Sequence, residues 1–325
     1  MAEGPGRACP VSYRYGASAL RAAPTIEAQT LYVAGGLYGN PFALDALLGL
    51  VAREPGAQLV FNGDFNWFNV GRDDYRRINE AVLAHTATRG NVETELCQPG
   101  DGAGCGCGYP DWVGDAEVAR SNRIMERLRA TAAAEPALTR RLAALPMHAV
   151  ARVGEARIGI VHGDADALAG WGFAREVLAT PAGTRAAIAA FEAARVEVIA
   201  SSHTCLPVMQ RFETSAGETL IANNGAAGMP NFAGTRFGIA TRISVHPPLS
   251  NALYGVTLGR LSLDRLYVHA VAIEYDTAGW EQCFLAQWPP GSDAYASYYQ
   301  RICGGPAYTA REAFPPPRRL AEQAL

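Results

Sequence analysis

The sequence contains no lysine, so all 28 basic side chains among its 325 residues are arginines. This absence excludes Schiff-base catalysis by lysine and the phosphate-binding lysine of a P-loop. The formal net charge is only −3. Neither nucleic acid nor an anionic membrane is therefore expected as a partner, because such surfaces attract a clearly basic protein.

Long apolar runs are also missing. None reaches the roughly 18 residues that a membrane-spanning helix needs, and residues 1–15 lack the apolar centre of a secretory signal. Seven cysteines without an export signal indicate free thiols or metal ligands rather than a disulfide framework. We predict a soluble cytoplasmic protein, and the sequence leaves its oligomeric state open.

What is present is a large apolar fraction, 49%, arranged in alternating strand and helix patterns. The order β-α-β-α-β over residues 30–91 predicts an α/β fold with helices outside a layered sheet. Strands are predicted at 30–36, 58–62, 88–91, 148–153, 156–162 and 196–201, helices at 42–51, 73–85, 115–145 and 184–194, and a β-meander over 208–275. The prediction is one domain at 30–280, with an N-terminal extension at 1–29 and a C-terminal arm at 281–325.

Four polar residues each lie just after a predicted strand, where an α/β sheet places its binding groups. They are Asp64, Asn91, His162 and His203. A carboxylate, an amide oxygen and two imidazoles form a plausible mixed ligand set for zinc, manganese or iron. The alternative is that each histidine is only a hydrogen-bonded structural residue.

Five short motifs in this order resemble those of the calcineurin-like metallophosphoesterase superfamily, especially its small bacterial phosphodiesterases. The resemblance implies a four-layer α/β/β/α sandwich and hydrolysis of a small phosphomonoester or phosphodiester with divalent metal ions. It also implies that Asp64 bridges two metals, that Asn91, His162 and His203 complete the second site, and that all four act in catalysis. The motif segments are Gly36-Leu37-Tyr38-Gly39-Asn40, Gly63-Asp64, Gly90-Asn91-Val92-Glu93, His162, and Ser202-His203-Thr204-Cys205.

The chain departs from this pattern at four positions. Gly36, Tyr38 and Cys205 stand where the resemblance implies an aspartate and two histidines of the first metal site. Gly36 offers no ligand, whereas Cys205 could bind a metal as thiolate. Val92 replaces a histidine that contacts substrate and helps to protonate the leaving group. We therefore expect one metal site to be retained and the other to be lost or rebuilt.

A Cys- and Gly-rich insertion at 97–114 follows the third motif. Either Cys97, Cys105 or Cys107 replaces a lost ligand, or the loop is a lid whose thiols do nothing. Glu93, Asp164 and Asp166 are further carboxylates that could orient a ligand or carry a proton. Arg120, Asn122 and Arg123 could bind a phosphate, although they could equally form a solvated helix face.

Three functions remain open at this stage. The leading hypothesis is a divergent metal-dependent phosphoesterase with a small-molecule phosphoester substrate. The second is a catalytically inactive, metal-stabilised binding or scaffold protein on the same fold. The third is an enzyme that uses cysteine ligands for different chemistry. The substitutions at Gly36 and Val92 are the main support for the second hypothesis.

Overall fold

Two six-stranded sheets lie face to face in the computed structural model, which describes residues 4–97, 102–215, 217–259 and 265–319. The strands are β1 Ile26–Ala28, β2 Thr30–Ala34, β3 Gln58–Asn62, β4 Thr86–Thr88, β5 His148–Val153, β6 Ala156–Val161, β7 Val198–Ser201, β8 Val208–Thr214, β9 Gly217–Asn223, β10 Gly238–Ser244, β11 Ala252–Gly259 and β12 Arg265–Ile273. One sheet has the order β1-β5-β6-β7-β9-β8, and the other has the order β11-β12-β10-β2-β3-β4.

Ten α-helices accompany the sheets within the described residues, and helices pack against both outer faces. They are α1 Pro41–Val51, α2 Arg72–Val82, α3 Asn91–Cys97, α4 Asp115–Ala133, α5 Pro136–Ala143, α6 Arg175–Leu178, α7 Pro181–Ala194, α8 Thr277–Gln287, α9 Asp293–Gly304 and α10 Ala310–Ala313. Helix α1 shows how the sequence sets a boundary. The Asn40 side chain accepts hydrogen bonds from the Phe42 and Ala43 N–H groups, and Pro41 supplies the fixed φ that suits a first helical position.

Strand β2 shows how the layers are built. Its side chains alternate between two cores, as the two-residue period of a strand requires. Leu31 and Val33 pack between the two sheets, while Tyr32 and Ala34 pack outward against the core that holds α1. A separate core joins α7 to the outer face of the other sheet. The predicted four-layer α/β/β/α sandwich is thereby confirmed.

The predicted β-meander over 208–275 is wrong. Strands β8 and β9 form a hairpin in one sheet, and the chain then crosses to the other, where β10 pairs with β2 and β12. The periodicity of apolar residues predicts strands but not the sheet to which each strand belongs. The sequence therefore could not predict this crossing between sheets. The predicted strand at 88–91 is also misplaced, because β4 covers Thr86–Thr88 and Asn91 begins α3.

Residues 277–319 fold against the sandwich and include the helices α8, α9 and α10. Trp280, Phe284 and Trp288 are buried, and Phe68 contacts the first two of these rings. The segments 98–101 of the predicted loop and 320–325 of the predicted arm lie outside the described residues. Within the described ranges, no helix combines the length and apolar character required to cross a membrane.

Candidate metal centre

The motif residues lie at the carboxyl ends of the strands. Asp64 follows β3, His162 follows β6, and His203 follows β7. Because β3 pairs in parallel with its neighbours in one sheet and β6 pairs in parallel with β7 in the other, these ends meet at one end of the sandwich. Asp64 has a φ of 55°, a left-handed conformation that few residues other than glycine adopt, and it is buried.

Three of the predicted ligands come together. The His162 Nε2 atom lies 3.2 Å from Asp64 Oδ2, and the His203 Nδ1 atom lies 3.2 Å from that same Nε2 atom. One ligand atom from each residue lies within 4.8 Å of the other two, and no other such group of three or more His, Cys, Asp or Glu side chains occurs in the described residues. This geometry could hold a metal ion.

Backbone carbonyls fix the protons of both imidazoles. His162 Nδ1–H donates to Asn62 O at 2.9 Å, and His203 Nε2–H donates to Cys107 O at 2.9 Å, since a carbonyl can only accept. The remaining nitrogens, His162 Nε2 and His203 Nδ1, then present lone pairs to each other beside a carboxylate. Such an arrangement is repulsive unless a proton or a cation lies among them, so the donor set fits a cation.

The fourth predicted ligand has an orphaned oxygen. Asn91 is buried, and its Nδ2 donates to Cys105 O at 3.0 Å, which leaves Oδ1 without a hydrogen-bond partner. Buried polar atoms are rarely left unpaired, because the lost hydration is costly. Asn91 lines the same cavity as Asp64 and His203. Its free oxygen is what a metal ligand would present.

The pKa shifts agree with this geometry. Burial, reinforced by the charge of His162, lowers the pKa of His203 to about 4 and favours a neutral imidazole. Burial acts in the same direction on His162, but the Asp64 carboxylate outweighs it and raises the pKa of His162 above its ordinary value. Burial opposes the ionisation of Asp64, yet the two histidines lower its pKa. In the absence of a metal, a proton on His162 is the available counterion.

Glu93 joins the loops that carry Asp64 and Asn91. Its carboxylate accepts hydrogen bonds from the Asp64, Phe65 and Gly90 N–H groups at 2.8–3.1 Å. Burial and the nearby Asp64 charge raise the pKa of Glu93 to about 7. The residue therefore positions the ligand loops, and its carboxylate is already occupied by backbone donors.

The three positions that the resemblance assigns to the first metal site do not form a comparable ligand group. They are Gly36, Tyr38 and Cys205. Gly36 adopts a φ of 67°, and a Cβ built on it would lie 2.8–3.0 Å from the ring and hydroxyl of Tyr38. The Tyr38 hydroxyl lies 2.9 Å from Cys205 Sγ. Burial raises the pKa of Tyr38 well above its ordinary value and so favours the neutral phenol. Cys205 lies outside the Asp64–His162–His203 group.

The cysteine loop reaches the centre through its backbone. The carbonyl oxygen of Cys107 accepts from His203 Nε2–H and also from Trp171 Nε1–H, each at 2.9 Å. The Cys107 side chain lines the cavity, whereas Cys105 is buried and its carbonyl holds Asn91. Cys97 donates to Thr139 O instead. Ligation by any of these thiols, or by Cys205, stays a prediction.

Other predicted polar residues are engaged elsewhere. The Asp164 carboxylate accepts from the Asp166, Ala167 and Gly172 N–H groups and so shapes the loop that carries Trp171. The three residues proposed for phosphate binding bond to protein groups: Arg120 to Ser297 and Glu117, Asn122 to Cys105 and Pro5, and Arg123 to Asp293. These contacts favour the structural interpretation.

A cavity of about 40 Å³ adjoins the ligands. Its lining residues are Tyr38, Asp64, Trp67, Asn91, Val92, Cys107, Tyr109, Trp171, His203, Cys205 and Tyr298. Sequence reasoning did not identify Trp67, Tyr109 or Trp171, because isolated aromatic residues in loops carry no motif. Tyr298, which follows the predicted domain in the C-terminal arm, also contributes its side chain to this cavity.

Comparison with known proteins supports the fold. No protein-family model matches the chain, and no curated protein sequence matches it. Among solved structures, a metallophosphoesterase from Sphaerobacter thermophilus matches with a TM-score of 0.53 at 17% identity, over 86% of this chain and 100% of that one. A hypothetical protein from Pyrococcus horikoshii OT3 matches with a TM-score of 0.56 at 15% identity, over 86% and 99%. The chain therefore has a calcineurin-like metallophosphoesterase fold.

Proposed function

We propose that this chain is a metal-dependent phosphoesterase with a single metal-ion site. Asp64, His162 and His203 would hold the ion through the atoms that already face one another, and Asn91 would add its free Oδ1. A divalent ion supplies Lewis-acid polarisation of a phosphoryl oxygen and makes a water molecule more acidic. The observation that carries the proposal is the convergence of two imidazole lone pairs, a carboxylate and an orphaned amide oxygen.

The chain's own residues have distinct tasks in this proposal. Cys107 O and Asn62 O set the tautomers of His203 and His162, so that each presents an unprotonated nitrogen. Glu93 keeps the Asp64 and Asn91 loops together. The aromatic rim of the cavity, formed by Trp67, Tyr109, Trp171 and Tyr298, would limit the access of bulk water to the reacting group. Since Val92 cannot supply a proton, we expect slower turnover than a site with a general acid, which typically contributes about 10²–10⁴-fold.

A catalytically inactive, metal-stabilised binding protein is the second candidate. The observation that favours it is the small cavity, about 40 Å³, since pockets for small-molecule ligands usually measure about 300–1,000 Å³. Turnover therefore requires the aromatic rim to move aside. If the rim stays closed, the same ligands would only stabilise the fold.

Metal analysis and a model substrate separate the two candidates. Protein loaded with zinc or manganese is assayed on bis(p-nitrophenyl) phosphate, and the metal content of the same sample is measured. One bound ion with hydrolysis that His203→Ala abolishes supports the phosphoesterase. One bound ion without turnover on a broad phosphoester panel favours the binding protein. Protein that takes up no metal contradicts both.

A further inference from the structure

Tyr38 fills space that a side chain at position 36 would otherwise occupy. A Cβ on Gly36 would come within 2.8–3.0 Å of Tyr38 Cε2, Cζ and the hydroxyl oxygen. Gly36 and Tyr38 are also fixed by the Asp64 loop, because Gly36 N–H donates to Gly63 O and Tyr38 N–H donates to Asp64 O. The glycine and the tyrosine therefore form one arrangement, in which the missing side chain makes room for the ring.

The Tyr38 hydroxyl has a defined hydrogen-bond direction. The Cys205 thiol donates to His203 O at 3.2 Å, which uses its single proton. Tyr38 O–H therefore donates to Cys205 Sγ, 2.9 Å away. Arg301 of α9 holds this turn in place by donating to Cys205 O at 2.6 Å. The result is a fixed chain of donors that runs from Tyr38 through sulfur to the backbone of a proposed ligand.

Sulfur is a weak hydrogen-bond acceptor, whereas a phosphoryl oxygen is a strong and charged one. The free energy therefore falls when the Tyr38 hydroxyl exchanges Cys205 Sγ for an oxygen of an entering anion. Several other donors of the cavity lining lack this freedom: Asn91 Nδ2 donates to Cys105 O, while Trp171 Nε1 and His203 Nε2 donate to Cys107 O. No arginine lies among the residues that line the cavity.

We propose that the Tyr38 hydroxyl stands in place of a first-site cation and donates a hydrogen bond to a phosphoryl oxygen of the bound substrate. The inference rests on the proposed function, because it needs a phosphoryl group at the proposed ligands. With Gly36 and Tyr38 at these two positions, a neutral hydrogen-bond donor, the Tyr38 hydroxyl, replaces a cation. Cys205 is the resting partner that holds the hydroxyl in position.

The test uses inorganic phosphate as the probe and metal-loaded protein. Tyr38→Phe keeps the ring and removes the donor, so we expect phosphate to bind about 10- to 100-fold more weakly, the range for a hydrogen bond to a charged group. Metal content is measured on the same samples and should be unchanged. Tyr254→Phe, in β11 and away from the cavity, is the matched control and should bind phosphate as the original chain does.

Equal phosphate affinity in Tyr38→Phe and the original chain, with hydrolysis intact, would overturn the inference and leave the proposed function standing. Absence of both phosphate binding and hydrolysis in the metal-loaded original chain would remove the proposed function as well. A second variant, Gly36→Asp/Tyr38→His/Cys205→His, should raise the metal content from one ion to two. If the triple variant folds natively but still holds one ion, this result would contradict the proposal that the Tyr38 hydroxyl takes the place of a cation.

Discussion

Two neighbouring halves of one site differ in whether their polar groups are satisfied. On the Asp64–Asn91–His162–His203 side, an amide oxygen has no hydrogen-bond partner, and two imidazole nitrogens and a carboxylate face one another with at most one proton among them. On the Gly36–Tyr38–Cys205 side, the phenol and the thiol bond each other and the backbone. The difference supports our proposal that the first half takes a cation, because its groups are left unpaired, whereas the second half takes none, because its groups already bond one another.

The largest expected effect follows from removing the shared carboxylate. Asp64→Ala should lower metal affinity and phosphodiester hydrolysis by at least about 10³-fold, because it leaves two facing imidazoles without their anionic partner. The loss of affinity is measured as metal content, and the loss of hydrolysis as the initial rate. Asp45→Asn is the control, since its exposed pair with Arg77 contributes little. Full metal content in Asp64→Ala would contradict the assignment.

The coupling of Gly36 and Tyr38 is expected to be the next largest effect. Gly36→Ala should destabilise the fold by about 1–3 kcal/mol, because it forces a positive φ on alanine and a contact under 3.0 Å with the Tyr38 ring. Denaturant unfolding measures the loss. In the Gly36→Ala/Tyr38→Ala double variant the steric part should vanish, so the two free-energy changes should not add. Strict additivity of the two free-energy changes would contradict the steric coupling between Gly36 and Tyr38.

Metal binding should depend on pH through His162. Its pKa lies above the ordinary value, so near and below neutral pH an incoming ion displaces a proton from this imidazole. Affinity should therefore rise about tenfold per pH unit up to the raised pKa and then level off. His203, whose pKa is lowered to about 4, should add to the slope only at more acidic pH. Titration with zinc at pH 5.5–8 checks this, and a flat profile would argue against His162 as a ligand.

The smallest effect concerns the ring that supports His203. Trp171→Phe keeps an aromatic side chain but removes the N–H donated to Cys107 O, a hydrogen bond worth about 1 kcal/mol. The carbonyl that orients His203 then has one donor fewer, and we expect metal affinity to change by less than tenfold. Competition with a metallochromic indicator resolves such a change. Trp112→Phe, which lies beside Trp171 but is largely exposed, is the matched control.

Much of the fold followed from periodicity and strand-end positions. The predicted strand at 58–62 coincides with β3, and the order of Asp64, His162 and His203 after strands brought them to one end of the sandwich. The sequence could not reveal the Cys107 carbonyl as the partner of His203, because backbone acceptors leave no residue signature. The packing of the Tyr38 ring over Gly36 was equally hidden, since it depends on the positive φ angles at both positions.

The number of bound ions tests the central claim most directly. Purified protein saturated with zinc or manganese and freed of excess ion should contain one ion per chain, and His203→Ala should contain none. Two ions per chain in the unaltered protein would contradict the account, because the space beside Gly36 would then hold a cation instead of the Tyr38 ring.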